Sequence, residues 1–231
     1  MHLGSQSSSA TVRAVAQLSK DFVENSVRRL KLYSSSKPWM RSKEMSIFQE
    51  VIERHQPLRC LEWGAGLSTL YFPKLLPASA RWYAIEHNEA WAIRLKTMNQ
   101  SSRIEIHEVS PNVPNWQGDG TYGEFENYLE FPGRFAPFDL IIIDGRARKE
   151  CLKIGAQWLS ERGVIILHDA NRTKYHDGFE SYPFSELFQD YHKGNGGVWV
   201  GSRQVPIKNV INVERHKSTW KKHEQLMGWL R

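Results

Sequence analysis

Glu62-Trp63-Gly64-Ala65-Gly66-Leu67-Ser68-Thr69 places an acid, two glycines and two hydroxyls in one short stretch directly after an apolar run. A strand running into such a turn offers backbone N–H groups and a helix start to a ligand that approaches closely, because glycine has no Cβ to stand in the way. A nucleotide-like ligand suits that geometry. Glu86 closes a second apolar run about twenty residues beyond the glycines, where an acid can take two hydrogen bonds from ribose hydroxyls. Two more apolar runs also end in polar groups: Ile143-Asp144-Gly145-Arg146-Ala147-Arg148 and Leu167-His168-Asp169-Ala170-Asn171-Arg172.

The elements that must carry these residues follow from hydrophobic period. Apolar positions between Thr11 and Leu32 keep helical three-and-four spacing, and a second helix is expected from Ser42 to His55, stopped before Pro57. The first ten residues are polar, Ser-rich and expected to be flexible. Arg59–Trp63, Arg81–Ile85 and Arg103–Val109 read as strands, with helices over Ser68–Leu76 and Glu89–Met98 between them. Phe138–Gly145, nearly uninterrupted in apolar character, reads as a central strand covered on both faces, followed by a helix over Ala147–Leu159 and a fifth strand over Gly163–Asp169. Pro111 to Pro137 is a long Gly-, Pro- and aromatic-rich loop with a short helix around Tyr122–Leu129. Phe184–Tyr191 reads as a helix, and Val198–Gly201 with Val205–Val213 as an antiparallel hairpin on the sheet edge. The expected fold class is therefore α/β: a Rossmann-like, doubly wound, mostly parallel sheet with a C-terminal hairpin, N-terminal helices over 11–56 and a catalytic domain over 57–231 forming one unit with them. In such a sheet Glu62, Glu86, Asp144 and Asp169 all lie at the carboxyl ends of strands, on one edge.

At this point Leu61-Glu62-Trp63-Gly64-Ala65-Gly66-Leu67-Ser68-Thr69 and Ala84-Ile85-Glu86-His87-Asn88 resemble the class I S-adenosylmethionine-dependent methyltransferases, whose first motif is an acid followed by glycines and whose ribose-binding acid closes the second strand. The resemblance covers roughly residues 40 to 202. It implies that Glu62 or its backbone neighbours face the methionine end of the cofactor, that Gly64 and Gly66 admit it, and that Glu86 holds its ribose, with Ala65, Ser68, His87 and Asp144 completing the cofactor site. The Asp144-Gly145 and His168-Asp169-Ala170-Asn171-Arg172 strand ends look like a branch of small-molecule and glycan O-methyltransferases. Thr69 stands where a dinucleotide fingerprint would carry its third glycine, which argues against a nicotinamide cofactor.

Methyl transfer from a sulfonium needs an in-line nucleophile, so positioning supplies much of the rate. A hydroxyl acceptor must also lose its proton. His168 and Asp169 are both candidates for the base, His168 by its near-neutral reference pKa and Asp169 by its place at the strand end, with Asp144 in support. Asp144, Asp169 and Asn171 are alternatively oxygen donors for Mg²⁺, although Ala170 breaks the best-known metal pattern. Arg146, Arg148 and Arg172 suit a carboxylate or phosphate on the acceptor, as forked donors do. Asn171 and the loop ring of Tyr128, with Trp116, Tyr122 and Phe125, are candidates for an acceptor wall. Trp91 is the tryptophan best placed to stack on an adenine.

Composition bounds the remaining readings. The chain has 231 residues, 40% hydrophobic and 24% charged, which suits one folded domain. Its two cysteines make no disulfide framework or zinc spacing, and no apolar run reaches the roughly 18 residues of a membrane span. A cytoplasmic enzyme without membrane contact is expected. The net charge of +6 leaves an RNA methyltransferase or binder as an alternative, but the basic residues are scattered without interleaved stacking aromatics. An NAD(P)-dependent oxidoreductase is the other enzyme reading. The amphipathic N-terminal helices suit either a cover over the site or a face for a second copy of the chain.

Overall fold

Runs of β-branched and other apolar residues alternate with amphipathic segments along this chain, and that alternation builds a parallel sheet covered by helices. The computed structural model describes residues 37–190 and 196–229, with side chains to residue 226. The expected flexible stretch over 1–10 and helix over 11–32 lie outside the described residues. In chain order the elements are α1 (Ser42–His55), β1 (Arg59–Trp63), α2 (Leu67–Tyr71), β2 (Arg81–Glu86), α3 (Glu89–Met98), β3 (Ile104–Glu108), α4 (Tyr122–Glu130), β4 (Phe138–Ile143), α5 (Arg148–Trp158), β5 (Leu159–His168), β6 (Phe184–Phe188), β7 (Val198–Ser202) and α6 (Val213–Trp229). Short 3-10 turns cover Phe72–Leu75, Phe131–Phe135, Thr173–Ser181 and Ile207–Asn209.

The sheet has seven strands in the order β3-β2-β1-β4-β5-β7-β6. β1 to β5 run parallel, whereas β7 is antiparallel to β5 and β6 antiparallel to β7. Strand order reverses between β1 and β4, so the loops leaving them diverge and open a crevice at their carboxyl ends. One face of the sheet packs on α1, through Ile47, Phe48, Val51 and Ile52, and on Trp220 of α6. The opposite face packs on α4 and α5 through Phe125, Tyr128, Leu129, Cys151 and Leu152. Among the described residues, no helix is long and apolar enough to cross a membrane.

Helix α1 has the expected bounds: Gln56 takes the left-handed conformation at φ 48°, and Pro57 follows. Two expectations for the C-terminal part fail. Phe184–Phe188 is a strand, not a helix, because pairing with β7 gives its backbone partners that the local pattern does not reveal. Val205–Val213 forms no strand, so the hairpin consists of β6 and β7, and the chain continues into α6. That helix escapes a hydrophobic count because its buried stripe is Val213, His216, Thr219, Trp220 and His223, mostly polar groups at helical spacing.

Candidate active site

The glycine turn is fixed from behind. Gly64, at φ +92°, donates its N–H to the Ile85 carbonyl at 2.8 Å, and Asp144 N–H donates to the Trp63 carbonyl at 2.9 Å. These bonds bring the β1 and β4 turns together so tightly that a Cβ on Gly64 would lie 2.4 Å from Gly145 Cα. Glu62 is wholly buried at the end of β1. Its carboxylate accepts from Ser68 Oγ, from Thr69 Oγ1 at 2.7 Å and from Trp82 Nε1 at 2.9 Å. Thr69 Oγ1 in turn accepts from Gly66 N–H at 2.9 Å. Burial pushes the Glu62 carboxyl up to about 7 against the pull of these three donors. Glu62 and the Thr69 hydroxyl therefore sit behind the turn and shape it, while the ligand side is left to backbone.

A cleft of about 260 Å³ opens on the other side of that turn. Gly64, Ala65, Gly66 and Ser68 form its floor, with Glu86, His87 and Trp91 on one flank and Asp144, Gly145 and Arg146 on the other. A Cβ on Gly66 would meet only Ser68, at 3.3 Å from Oγ, so the missing side chain adds space to the cleft. Glu86 Oε1 accepts the N–H of Asn88 at 2.8 Å and lies 2.9 Å from His87 Nδ1, which fixes the carboxylate at the rim. Trp91 is anchored by its indole N–H on the Ala65 carbonyl at 2.8 Å. Pro38, Trp39 and Met40, which lead into α1, line the cleft too, and Trp39 is 72% exposed there. No sequence pattern had singled them out.

At the ends of β4 and β5 the polar residues form one network. Asp144 Oδ1 lies 2.9 Å from His168 Nδ1 and 3.2 Å from Arg148 NH2. Burial would raise the Asp144 carboxyl, but His168 and Arg148 outweigh it and hold it below the usual aspartate value. For His168, burial would lower the imidazole, yet Asp144 and Glu44 keep it well above the usual histidine value. Glu44 comes from α1, with Oε2 3.4 Å from His168 Nε2. It too went unread in the sequence, since nothing local ties it to a histidine so far along the chain. Arg148 is buried and donates to the carbonyls of Gly145, His168 and Asp144, clamping the two strand ends together.

The other expected acceptor residues are placed differently from one another. Arg146 lines the cleft, its guanidinium 5.0 Å from the Trp116 ring centre, and it forms no ion pair among the described residues. Asp169 turns away, its carboxylate accepting from Gly196 N–H at 2.8 Å and Arg172 NH2 at 3.0 Å. Asn171 is buried and exchanges two hydrogen bonds with the Asp190 backbone, at 3.0 and 3.1 Å. Tyr128 lies in the core rather than on an acceptor wall, its hydroxyl tucked under Gly145. Phe125 is buried beside it, and Tyr122 bonds to Glu130 at 3.0 Å on the surface. The Arg148 guanidinium stands between Asp144, 3.2 Å from NH2, and Asp169, 3.6 Å from NH1, and Asn171 is bonded to Asp190, so this donor set does not fit a Mg²⁺ ion. Among the described residues no group of three or more His, Cys, Asp or Glu is placed to hold a metal.

No protein-family model and no curated protein matches this chain. Solved structures do. A methyltransferase-like protein from Silicibacter pomeroyi is 18% identical, covers 79% of this chain and 97% of its own, and superposes with a TM-score of 0.54. An O-methyltransferase from Bacillus cereus, in complex with SAH, is 16% identical over 80% of this chain and 90% of its own, with a TM-score of 0.53. A spermidine synthase in complex with the transition-state analogue AdoDATO is 18% identical over 80% of this chain and 75% of its own, at a TM-score of 0.52. At these identities the likeness establishes the architecture alone. The chain has the Rossmann-like fold of the S-adenosylmethionine-dependent methyltransferases.

Proposed function

We propose that this protein transfers a methyl group from S-adenosylmethionine to a hydroxyl of a small molecule or glycan. The observation that carries the reading is the cleft itself: Glu86 and Asp144 flank one glycine turn, with Gly66 leaving room between them. Glu86 fits the ribose hydroxyls, the 64–66 backbone fits the body of the cofactor, and His87 and Trp91 fit the rim where a base would rest. The bound cofactor supplies an electrophilic methyl on sulfur.

The chain's own residues then have to orient the acceptor and receive its proton. Asp144 is the strand-end carboxylate that lines the cleft, with its side chain 25% exposed, and it is the group we assign to proton removal. His168 stands behind it, its ring nitrogens facing the Asp144 and Glu44 carboxylates at 2.9 and 3.4 Å, which suits an orienting donor better than a base. Asp169 is bound to the Gly196 backbone and Arg172, which suits a role in shaping the neighbouring loop. Arg146, unpaired by any acid among the described residues, supports an acceptor carrying a carboxylate or phosphate.

Calorimetry tests the cofactor assignment. S-adenosylmethionine and S-adenosylhomocysteine are expected to bind and NADH to leave no heat; tight NADH binding alone would reverse the reading. Acceptor panels of hydroxyl compounds with and without an acid group, scored by transfer of a labelled methyl, test the rest. Salt-dependent RNA binding without small-molecule turnover would favour the nucleic-acid alternative.

A further inference from the structure

Helix α1 brings a carboxylate into the interior next to the proposed site, and its surroundings constrain what that carboxylate does. Glu44 is 2% exposed. Its Oε2 accepts the Arg41 N–H at 2.8 Å and faces His168 Nε2 at 3.4 Å, while Oε1 has no hydrogen-bond partner among the described residues. Across the same ring, His168 Nδ1 lies 2.9 Å from Asp144 Oδ1. The Phe48 ring stands nearly perpendicular to the imidazole, 6.3 Å between centres. Nearby cations face other groups as well: Arg41 and Lys43 of α1 pair with Asp190, and Arg148 of α5 donates to the His168 carbonyl and to Asp144.

A neutral imidazole carries one N–H and can serve one of these two carboxylates, leaving the other buried against a lone pair. An imidazolium serves both. His168 and Arg148 both lie on Asp144 Oδ1, which leaves Oδ2 without a hydrogen bond among the described residues on a side chain that lines the cleft. We propose that Glu44 is a positioning residue of the methyl-transfer site: it holds His168 doubly protonated, so that His168 binds Asp144 Oδ1 and turns Oδ2 toward the acceptor. The role of Asp144 in this inference rests on the reaction proposed above, whereas the hold of Glu44 on His168 does not.

The test needs no known acceptor. With the protein labelled in its histidines with nitrogen-15, and His168 assigned by the loss of its signals in His168→Gln, both ring nitrogens of His168 are expected to be protonated at neutral pH. In Glu44→Gln the midpoint of that titration should fall by roughly one pH unit, as loss of a nearby opposite charge requires. S-adenosylhomocysteine affinity should stay within about twofold, because α1 presents Glu44 to the network and not to the cofactor side. With any hydroxyl compound that the wild type methylates, kcat should drop about tenfold with KM for S-adenosylmethionine unchanged. A neutral His168 ring in the wild type overturns the proposal, and that measurement stands even if Glu44→Gln fails to fold. So does a Glu44→Gln protein whose His168 midpoint does not move. Failure of the wild type to bind S-adenosylhomocysteine would count against the reaction, and the titration would still judge the Glu44–His168 link by itself.

Discussion

Gly64 and Gly145 touch backbone to backbone across the β1 and β4 turns: a Cβ on Gly64 would sit 2.4 Å from Gly145 Cα, and one on Gly145 would sit 2.2 Å from the Tyr128 hydroxyl. Neither neighbour of Gly64 can yield, since the contacts are main chain on both sides and Gly64 is also at φ +92°. Gly64→Ala is therefore expected to lower unfolding stability by about 3 kcal/mol, read from denaturant midpoints. Gly66→Ala should behave in the opposite way, staying within about 1 kcal/mol in stability while S-adenosylhomocysteine binding weakens about tenfold, since its Cβ would project into the cleft. Equal loss of stability in both variants would refute this division of labour.

Glu62 predicts a pH dependence on the acid side. The unfolded carboxyl ionises near 4.5 and the folded one near about 7, so between these values the folded chain holds the extra proton and stability falls as pH rises. The fall is on the order of 3 kcal/mol across that window and should vanish in Glu62→Gln. His168 acts in an adjacent window. Its folded value lies above 6.5, so its contribution is complete below that pH and is lost as pH climbs through the folded value. Urea titrations at stepped pH, comparing Glu62→Gln with His168→Gln, should flatten different parts of the curve.

Glu86 and Asp144 flank the same cleft but should separate in their kinetics. Glu86→Gln is expected to weaken S-adenosylhomocysteine binding about tenfold, by removing a charge-assisted acceptor from the rim. Asp144→Asn should leave that affinity within about threefold and lower methyl transfer about a hundredfold. Calorimetry and single-turnover transfer assays distinguish them, and a reversed pattern would mean that the cofactor lies the other way round in the cleft.

Asn171 braces the Asp190 backbone. Asn171→Ala removes two buried hydrogen bonds to Asp190 and should cost about 2 kcal/mol of stability. Exhaustive chelation should leave transfer activity unchanged in wild type and variant alike, because the Asp169 and Asn171 side chains are committed elsewhere. Activity lost on chelation and restored by Mg²⁺ would show that the donors rearrange.

What could be read beforehand follows the kind of force involved. The bounds of α1 and the five parallel strands were legible because each buries a regular apolar pattern and ends at proline, glycine or a polar residue. The edge region was not. Phe184–Phe188 draws its strand state from pairing with β7, and α6 buries His216 and His223, the former bonded to Glu50 at 2.6 Å, where a count of apolar residues finds nothing. Within the site, the glycines and strand-end acids announced themselves by spacing. Tyr128 misled because an aromatic in a loop-rich segment looks available until the fold turns it inward. Glu44 was invisible because its partner His168 is 124 positions away.

The reversed direction of β7 has a consequence for how the sheet edge beside β5 can change. Each parallel strand delivers to the catalytic edge whatever follows it, but β7 delivers what precedes it, and Gly196 and Gly197 arrive there bonded to Asp169, Ala170 and Asn171 at the exit of β5. Gly196 and Gly197, just before β7, thus meet the exit of β5 through two main-chain bonds and one to the Asp169 carboxylate. Changes at these two glycines would shift the exit of β5 while leaving the Glu86 rim, carried by β2 and separated from β5 by β1 and β4, untouched. The glycine-turn side of the sheet and the β5–β7 side are in this way held by separate sets of bonds, so one can change in sequence while the other is kept.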